Sequence, residues 1–248
     1  MALTVHPIEG KEKARIICAA FARGAPAWAT GHVFFGVNDS NLKYYTQCIK
    51  RGEPWFYVDN SYHDKVRGLY YRVTRNAIQH SGAGESDGTR FNALNIPIKP
   101  WRTTLGREIL VCPQSDSFMR TAARYPGDWT KDTLQKLRGF GVDMSTVRVR
   151  PWNPDKIKLS IKLMEEIGDN KLRLLVTHSS ASAITAMMEG LPAISEAGAA
   201  HSITGPLTRE SVESPPRPDD RERLVSVLAD QQFTLEEMVS GKAWEATR

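Results

Sequence analysis

The sequence contains no apolar run that approaches the roughly 20 residues needed to cross a bilayer. Its first residues also lack the basic stretch and apolar core of a secretory signal. Cysteine is scarce: Cys18, Cys48 and Cys112 are far apart and do not have the spacing of a metal or disulfide framework. These absences argue against a membrane-spanning or disulfide-rich protein, and we predict a soluble protein of the cytoplasm.

The composition is that of a globular protein, which argues against disorder. Hydrophobic residues make up 41% and charged residues 25% of the 248 positions. Basic residues predominate at the front, where residues 1–107 contain 15 Lys and Arg against 8 Asp and Glu. This excess predicts a polyanionic partner, such as nucleic acid or an acidic glycan, and the alternative is a solvated basic surface.

Strand-like and helix-like apolar patterns alternate along the chain, which predicts an α/β protein. Because parallel strands need a crossover helix, we expect a parallel sheet in each half. Proline and glycine interrupt the pattern at 97–107, and this segment is the predicted linker between domains at 1–100 and 108–248. Strands are predicted at 2–6, 32–37, 55–59, 70–74, 108–112, 147–150, 172–177 and 192–195, and helices at 11–24, 41–51, 128–140, 160–168, 179–189, 220–230 and 234–241.

The strand predicted at 172–177 is followed directly by a histidine and three serines. His178, Ser179, Ser180 and Ser182 then lie at the start of a predicted helix, whose unpaired N–H groups and positive dipole end favour an anion. Their small hydroxyl side chains add hydrogen-bond donors for phosphate. The alternative is an ordinary helix cap by Ser179 or Thr177.

Two other predicted strands of the second half also end in polar residues. Gln114 and Ser115 follow the strand at 108–112, and ligands of open α/β sheets bind beyond such carboxyl ends. Arg150 ends the strand at 147–150 and Lys156 follows in the next loop, where cations could neutralise phosphate. The alternatives are turn chemistry for the first pair and exposed cations for the second.

Residues 177–182 and 189–194 resemble the donor half of GT-B-type glycosyltransferases, in which a strand, a small-residue helix start and a Gly-Leu-Pro or Gly-Ile-Pro turn recur. The resemblance covers about residues 108–200. It implies two Rossmann-like lobes that face each other across a cleft, with a reduced acceptor lobe in front of the donor-binding lobe. It also implies that the late helices return toward the front lobe.

The implied activity is transfer of a sugar from a nucleoside-diphosphate sugar to a hydroxyl acceptor. By resemblance, His178, Ser179 and Ser180 contact the donor diphosphate and Glu196 lies near the ribose, the alternative for Glu196 being an exposed loop carboxylate. The sequence contains no Asp-x-Asp motif, which argues against the metal-dependent GT-A type. We therefore predict donor binding without a metal ion and without a cofactor.

Candidate acceptor-side residues follow the predicted strands of the front half. Asp39, Asp59 and His63 are candidates for the general base that an inverting transferase needs. The alternatives are a helix cap for Asp39, a turn for Asp59 and a surface position for His63. The predicted acceptor-binding residues are Asn38, Tyr62, Arg72, Arg75 and Asn76.

Arginine, amide and aromatic side chains together could grip phosphates and stack on bases. The sequence therefore predicts either a 5-hydroxymethylpyrimidine base in DNA or a glycan as the acceptor. A base in duplex DNA would have to be extruded. Two other interpretations stay open: a sugar-nucleotide epimerase or hydrolase on the same fold, and a nucleic-acid-binding protein without catalysis.

Overall fold

The computed structural model describes residues 3–63, 68–151 and 156–248, and for 156–161 it describes the backbone only. The chain divides into two compact units. The first unit comprises Met1–His80, Asp116–Arg124 and Ala229–Arg248, and the second comprises Ser81–Ser115 and Tyr125–Leu228. Among the described residues, no helix is both long and apolar enough to cross a membrane.

In chain order the strands are β1 (Thr4–His6), β2 (His32–Phe35), β3 (Trp55–Asn60), β4 (Tyr71–Arg75), β5 (Glu108–Cys112), β6 (Val147–Val149), β7 (Leu172–Thr177), β8 (Ala193–Ser195) and β9 (Gln232–Phe233). The helices are α1 (Glu12–Gly24), α2 (Leu42–Arg51), α3 (Thr89–Leu94), α4 (Asp116–Thr121), α5 (Trp129–Gly139), α6 (Lys156–Gly168), α7 (Ser182–Met188), α8 (His201–Thr204), α9 (Arg209–Glu213), α10 (Arg221–Asp230), α11 (Leu235–Val239) and α12 (Lys242–Glu245).

The sheet of the first unit is mixed, with the strand order β1-β2-β3-β4-β9. Strands β1, β2 and β3 are parallel, as expected, because the helices α1 and α2 connect them. The expectation of a fully parallel sheet is wrong for β4 and β9, which pair antiparallel. The connection from β3 to β4 spans only residues 61–70, which is too short for the usual crossover helix.

Helix α1 covers one face of this sheet with side chains at helical spacing. Ala14, Ile17, Cys18 and Phe21 are buried, and they are three or four residues apart, so they share one face of the helix. The core that they form also includes side chains from α11 and α12, among them Trp244. The last 20 residues of the chain, 229–248, therefore belong to the first unit.

The sheet of the second unit is fully parallel, with the strand order β6-β5-β7-β8. Its central strands β5 and β7 are mostly apolar and buried, which is typical of strands that are covered on both faces. After β5 the chain adds β6 on one side, and it then returns to add β7 on the other side. The strand order therefore reverses between β5 and β7.

Several local elements differ from the sequence-based expectation. Helix α7 begins at Ser182 rather than at 179, and the short elements α4, α9 and β9 lie outside the predicted helices and strands. The predicted linker belongs to the second unit, where Lys99 N donates to Met188 O at 2.7 Å and Arg102 N donates to Gly190 O at 3.0 Å. Short elements and loop contacts of this kind depend on tertiary hydrogen bonds that no local pattern reports.

Candidate functional site

The carboxyl ends of β5 and β7 lie side by side where the strand order of the second sheet reverses. At such a reversal the chain segments that follow the two strands leave in opposite directions and open a crevice, which is the usual ligand position in open α/β sheets. Thr177 ends β7 and its hydroxyl donates to Cys112 O at the end of β5, at 2.7 Å. The two strand ends are thus fixed to each other.

Gln114 and Ser179 meet just beyond these strand ends. The Ser179 hydroxyl donates to Gln114 Oε1 at 2.8 Å, and the Ser179 backbone N–H donates to the same oxygen at 3.2 Å. Two donors from one residue therefore converge on a single oxygen atom. Ser115, the next residue after Gln114, is half-buried.

The other two predicted serines are arranged differently. Ser180 Oγ accepts from the backbone N–H of Ser182, the first residue of α7, at 3.2 Å. Ser182 is buried beside the Cys112 thiol, whose pKa burial raises to about 12. Because α7 starts at Ser182, both Ser179 and Ser180 lie in the turn before the helix.

His178 lies in an aromatic cluster with Tyr125 and Trp129. Both of these rings meet the imidazole edge-on, at centroid distances of 5.7 Å for Tyr125 and 6.2 Å for Trp129. Burial lowers the pKa of His178, and the nearby Glu196 carboxylate opposes this shift only in part. This direction favours the neutral form of the imidazole.

Glu196, which follows β8, is held by two donors from α5. Trp129 Nε1 donates to one carboxylate oxygen at 2.6 Å, and Lys136 Nζ lies 2.6 Å from the other. Trp129 and Lys136 are seven residues apart, so both project from the same face of the helix. Glu196 thereby joins the aromatic cluster to a cation at the carboxyl edge of the sheet.

The two cations predicted near this edge are placed differently. Arg150 Nε forms an ion pair with Glu166 Oε2 of α6 at 2.7 Å, and both side chains are largely buried. The side chain of Lys156 lies outside the described residues. Phosphate binding by Arg150 and Lys156 stays a prediction.

In the first unit, Asp59, Tyr62 and Arg72 form one contact network, in which Tyr62 and Arg72 are buried. Arg72 is 5% exposed; its Nη2 donates to Asp59 Oδ2 at 2.8 Å, and its guanidinium lies 4.6 Å from the centre of the Tyr62 ring. Gln232 Oε1 accepts from the backbone N–H groups of Tyr62 and His63, at 3.0 and 3.3 Å. His63 is buried as well, so the alternative of a surface position for it is wrong.

The other predicted residues of the front half lie at the ends of strands. Asp39 is exposed after β2 and does not cap α2, while the neighbouring Asn38 Oδ1 accepts from the Ser40 hydroxyl at 2.7 Å. Arg75 is exposed at the end of β4. Asn76, with a positive φ of 53°, accepts from Trp55 N through its side chain at 3.0 Å. Asn76 therefore shapes a turn.

No protein-family model matches this chain, and no curated protein resembles it in sequence. Solved structures do resemble it. The β-Kdo 2,4 transferase of KpsC from Thermosulfurimonas dismutans has a TM-score of 0.51 at 12% identity, over 94% of this chain and 92% of that chain. The β-Kdo 2,7 transferase of the same KpsC has a TM-score of 0.49 at 10% identity, with all of both chains covered.

In fold, this chain is similar to a KpsC Kdo transferase. The α/β fold class with parallel strands is confirmed. The arrangement of two lobes across a cleft, and the roles of the predicted site residues, stay predictions.

Sequence reasoning missed three residues around Glu196 and His178. The helical pattern marks Trp129 only as an inner residue of its helix, and it marks neither Tyr125 nor Lys136. The spacing of Trp129 and Lys136 is a usable signal, because a tryptophan and a lysine two helical turns apart present one aromatic donor and one cation on the same face. No local pattern indicates that both side chains bond to Glu196, which lies 60 residues beyond Lys136 in the chain.

Proposed function

We propose that this protein is a glycosyltransferase that uses a nucleoside-diphosphate sugar, and that the donor binds at the carboxyl ends of β5 and β7. The convergence of the Ser179 hydroxyl and backbone N–H on the single oxygen of Gln114 supports this proposal most directly. A phosphate oxygen presents the same acceptor chemistry as the Gln114 oxygen. A phosphate oxygen of a bound donor would therefore replace the Gln114 oxygen and accept from the Ser179 hydroxyl and backbone N–H.

The chemistry of sugar transfer explains why hydrogen-bond donors are useful at this position. When the bond between the sugar and the phosphate breaks, negative charge develops on the leaving phosphate oxygens. Preorganised N–H and O–H donors stabilise that charge without reorganisation, and they are strongest where water is excluded. Ser179 is buried and Ser180 lies beside it, which suits them to this role. We propose that these donors, rather than a metal ion, bind the phosphates.

The aromatic cluster and Glu196 suit the nucleoside part of the donor. A carboxylate accepts from ribose hydroxyl groups, and aromatic faces stack on bases. The Glu196 carboxylate has a fixed direction because Trp129 and Lys136 hold its two oxygens. A neutral His178 beside it can either donate to a phosphate oxygen or accept from a hydroxyl.

The fold similarity supports the reaction class. The KpsC structure that resembles this chain over 94% of its length is named a β-Kdo transferase. We infer from that name that an activated sugar is the co-substrate here as well. A Kdo-containing donor therefore belongs among the substrates to be tested.

For the general base we propose Asp39. Asp59 and His63 are the competing candidates, but the Asp59 carboxylate already accepts from Arg72, and His63 is buried. Asp39 is the exposed carboxylate among the three, and it follows a parallel strand of the first sheet. An inverting transfer needs such a group to accept the proton of the attacking hydroxyl.

For the acceptor we propose a glycan in preference to DNA. The charge of Arg72 is offset by Asp59, so Arg75 is the exposed cation of the two arginines predicted to bind a polyanion. A 5-hydroxymethylpyrimidine base in DNA is the competing acceptor. Both acceptors supply the same reacting group, a hydroxyl, and only an assay with each substrate distinguishes them.

A ligand screen followed by a turnover assay tests the proposal. We expect nucleoside phosphates or sugar nucleotides to raise the melting temperature of the full chain, by mass action on the folded state. The protein should then release nucleotide faster when a glycan acceptor is present. Donor consumption at the same rate without any acceptor would instead indicate an epimerase or hydrolase. DNA binding with steep salt dependence but no response to nucleotides would indicate a non-catalytic binding protein.

A further inference from the structure

A different group of ligand-type side chains lies in the first unit. It consists of His32 at the start of β2, Cys48 in the last turn of α2, and Glu53 just after that helix. One imidazole nitrogen, the thiol sulfur and one carboxylate oxygen all lie within 4.8 Å of one another. A thiol, an imidazole and a carboxylate are the three side-chain types that bind zinc in proteins.

The backbone holds these three residues together. Helix α2 ends at Arg51, and the next residue, Gly52, caps it in a left-handed conformation with φ of 64°. This turn lets Glu53 N donate to Cys48 O at 3.0 Å, so the chain folds back and returns Glu53 to the helix end. On the other side, His32 N donates to Pro54 O at 3.0 Å. All three residues are thus placed by main-chain hydrogen bonds.

The His32 ring is also oriented by a second histidine. Its Nδ1 lies 2.9 Å from Nε2 of His6, and its Nε2 lies 3.2 Å from Glu53 Oε2. The His6 ring stacks against Phe34 at 4.9 Å and against Tyr44 at 4.5 Å, which fixes its position. Histidines that bind metal ions typically have this arrangement, with one ring nitrogen toward the ion and the other bonded to an outer partner.

We propose that His32, Cys48 and Glu53 form a zinc-binding site, with His6 as the outer partner of the His32 imidazole. Zinc binds sulfur, nitrogen and oxygen at about 2.0–2.3 Å, so ligand atoms around one tetrahedral ion lie roughly 3.3–3.8 Å apart. The distance of 3.2 Å between His32 Nε2 and Glu53 Oε2 is close to that spacing. The Cys48 sulfur lies within 4.8 Å of the other two ligand atoms, so it would have to move by about 1 Å to bind the same zinc ion.

The site is accessible to solvent on one side. The side chains of His32 and Glu53 are 24% and 37% exposed, whereas Cys48 is buried. Three protein ligands leave a fourth tetrahedral position, which a water molecule would fill from this side. Thiolate and imidazole favour zinc over magnesium or calcium, which prefer oxygen ligands. The proposal does not depend on the glycosyltransferase activity.

Metal titration of the full chain tests the site. After treatment with a chelator and its removal, the protein should take up one zinc ion in competition with a chromophoric chelator, and magnesium should not compete. Cobalt in place of zinc should give a thiolate-to-metal charge-transfer band. Cys48→Ser should remove this band, whereas Cys18→Ala, which changes another buried cysteine of the same unit, should keep it. An unchanged band in Cys48→Ser would overturn the proposal.

Two further variants keep the test decisive if Cys48→Ser does not fold. Glu53→Gln changes a partly exposed side chain and should weaken zinc binding without loss of fold, as judged by circular dichroism. His6→Phe keeps an aromatic ring in the stack but removes the bond to His32, and should weaken zinc binding about 10–100-fold. The absence of zinc uptake by the unmodified chain, or a zinc affinity in both variants equal to that of the unmodified chain, would show that the three residues are only structural.

Discussion

The polar residues near the strand ends have different kinds of partner in the two sheets. In the first sheet, Asp59 and Arg72 are direct register partners on the antiparallel strands β3 and β4, and they form an ion pair in which Arg72 is buried and Asp59 is partly buried. In the second sheet, the polar residues that follow parallel strands point beyond the sheet edge, where Gln114 and Ser179 meet. An antiparallel neighbour can supply a cross-strand partner to a charged residue. A parallel edge instead brings such groups together beyond the strand ends, where Gln114 and Ser179 bond to each other.

If this contrast is correct, loss of Arg72 should destabilise the protein more than loss of any serine or lysine at the edge of the second sheet. Arg72→Ala removes the buried guanidinium that pairs with the Asp59 carboxylate, which should destabilise the first unit by up to about 3–5 kcal/mol. Denaturant unfolding followed by tryptophan fluorescence measures this loss. Arg75→Ala is the matched control, because the exposed neighbour should change stability by no more than about 0.5 kcal/mol. Similar stability of both variants would show that the ion pair is not structural.

Loss of hydroxyl groups at the carboxyl edge of the second sheet should instead weaken donor binding more than it lowers stability. The double substitution Ser179→Ala and Ser180→Ala should weaken donor binding by about 2–4 kcal/mol, since hydrogen bonds to charged groups contribute about 1.5–3 kcal/mol each. Isothermal titration with the nucleotide identified by the ligand screen gives the affinity. Ser145→Ala is the control, because Ser145 precedes β6 at the amino edge of the same sheet. An unchanged affinity in the double variant would remove the proposed donor site.

The buried network of the first unit should also respond to acid. Burial, and then the positive charge of Arg72, lower the pKa of His80 to about 3, and the Tyr62 hydroxyl lies 3.3 Å from its ring. Because the pKa is higher in the unfolded chain, His80 stabilises the fold fully above about pH 6.5, and this contribution declines as the pH falls toward 3. Melting temperatures over this range should fall less steeply in His80→Gln. Parallel curves for the two proteins would contradict this assignment.

The smallest effect should follow from Lys136→Met. The ion pair between Lys136 and Glu196 is partly exposed, and such pairs contribute about 0–1 kcal/mol to stability. The melting temperature should therefore barely change, whereas nucleotide affinity should fall if Glu196 contacts the ribose in a fixed orientation. Lys131→Met, on the exposed surface of the same helix, is the control. A large loss of stability in Lys136→Met would indicate that the pair serves the fold.

The sequence by itself determined most of the local structure. Apolar spacing placed α1 and α2 to within one residue, and mostly apolar segments placed β5 and β7 at their observed bounds. These features depend on periodicity over a few neighbouring residues, which any sequence displays directly. The same reasoning marked polar residues after strands as candidates, but it could not separate the exposed Asp39 from the ion-paired Asp59.

Only the tertiary structure decided which of these residues meet. Gln114 and Ser179 are 65 residues apart, and Trp129 and Glu196 are 67 apart. Likewise, the grouping of His32 with Cys48 and Glu53 has no metal-like spacing along the chain. The strand order, and the antiparallel pairing of β4 and β9, decide which of these residues contact each other. These choices depend on the packing of whole elements, because the free energy that selects them comes from burial across the sheets and not from neighbouring residues.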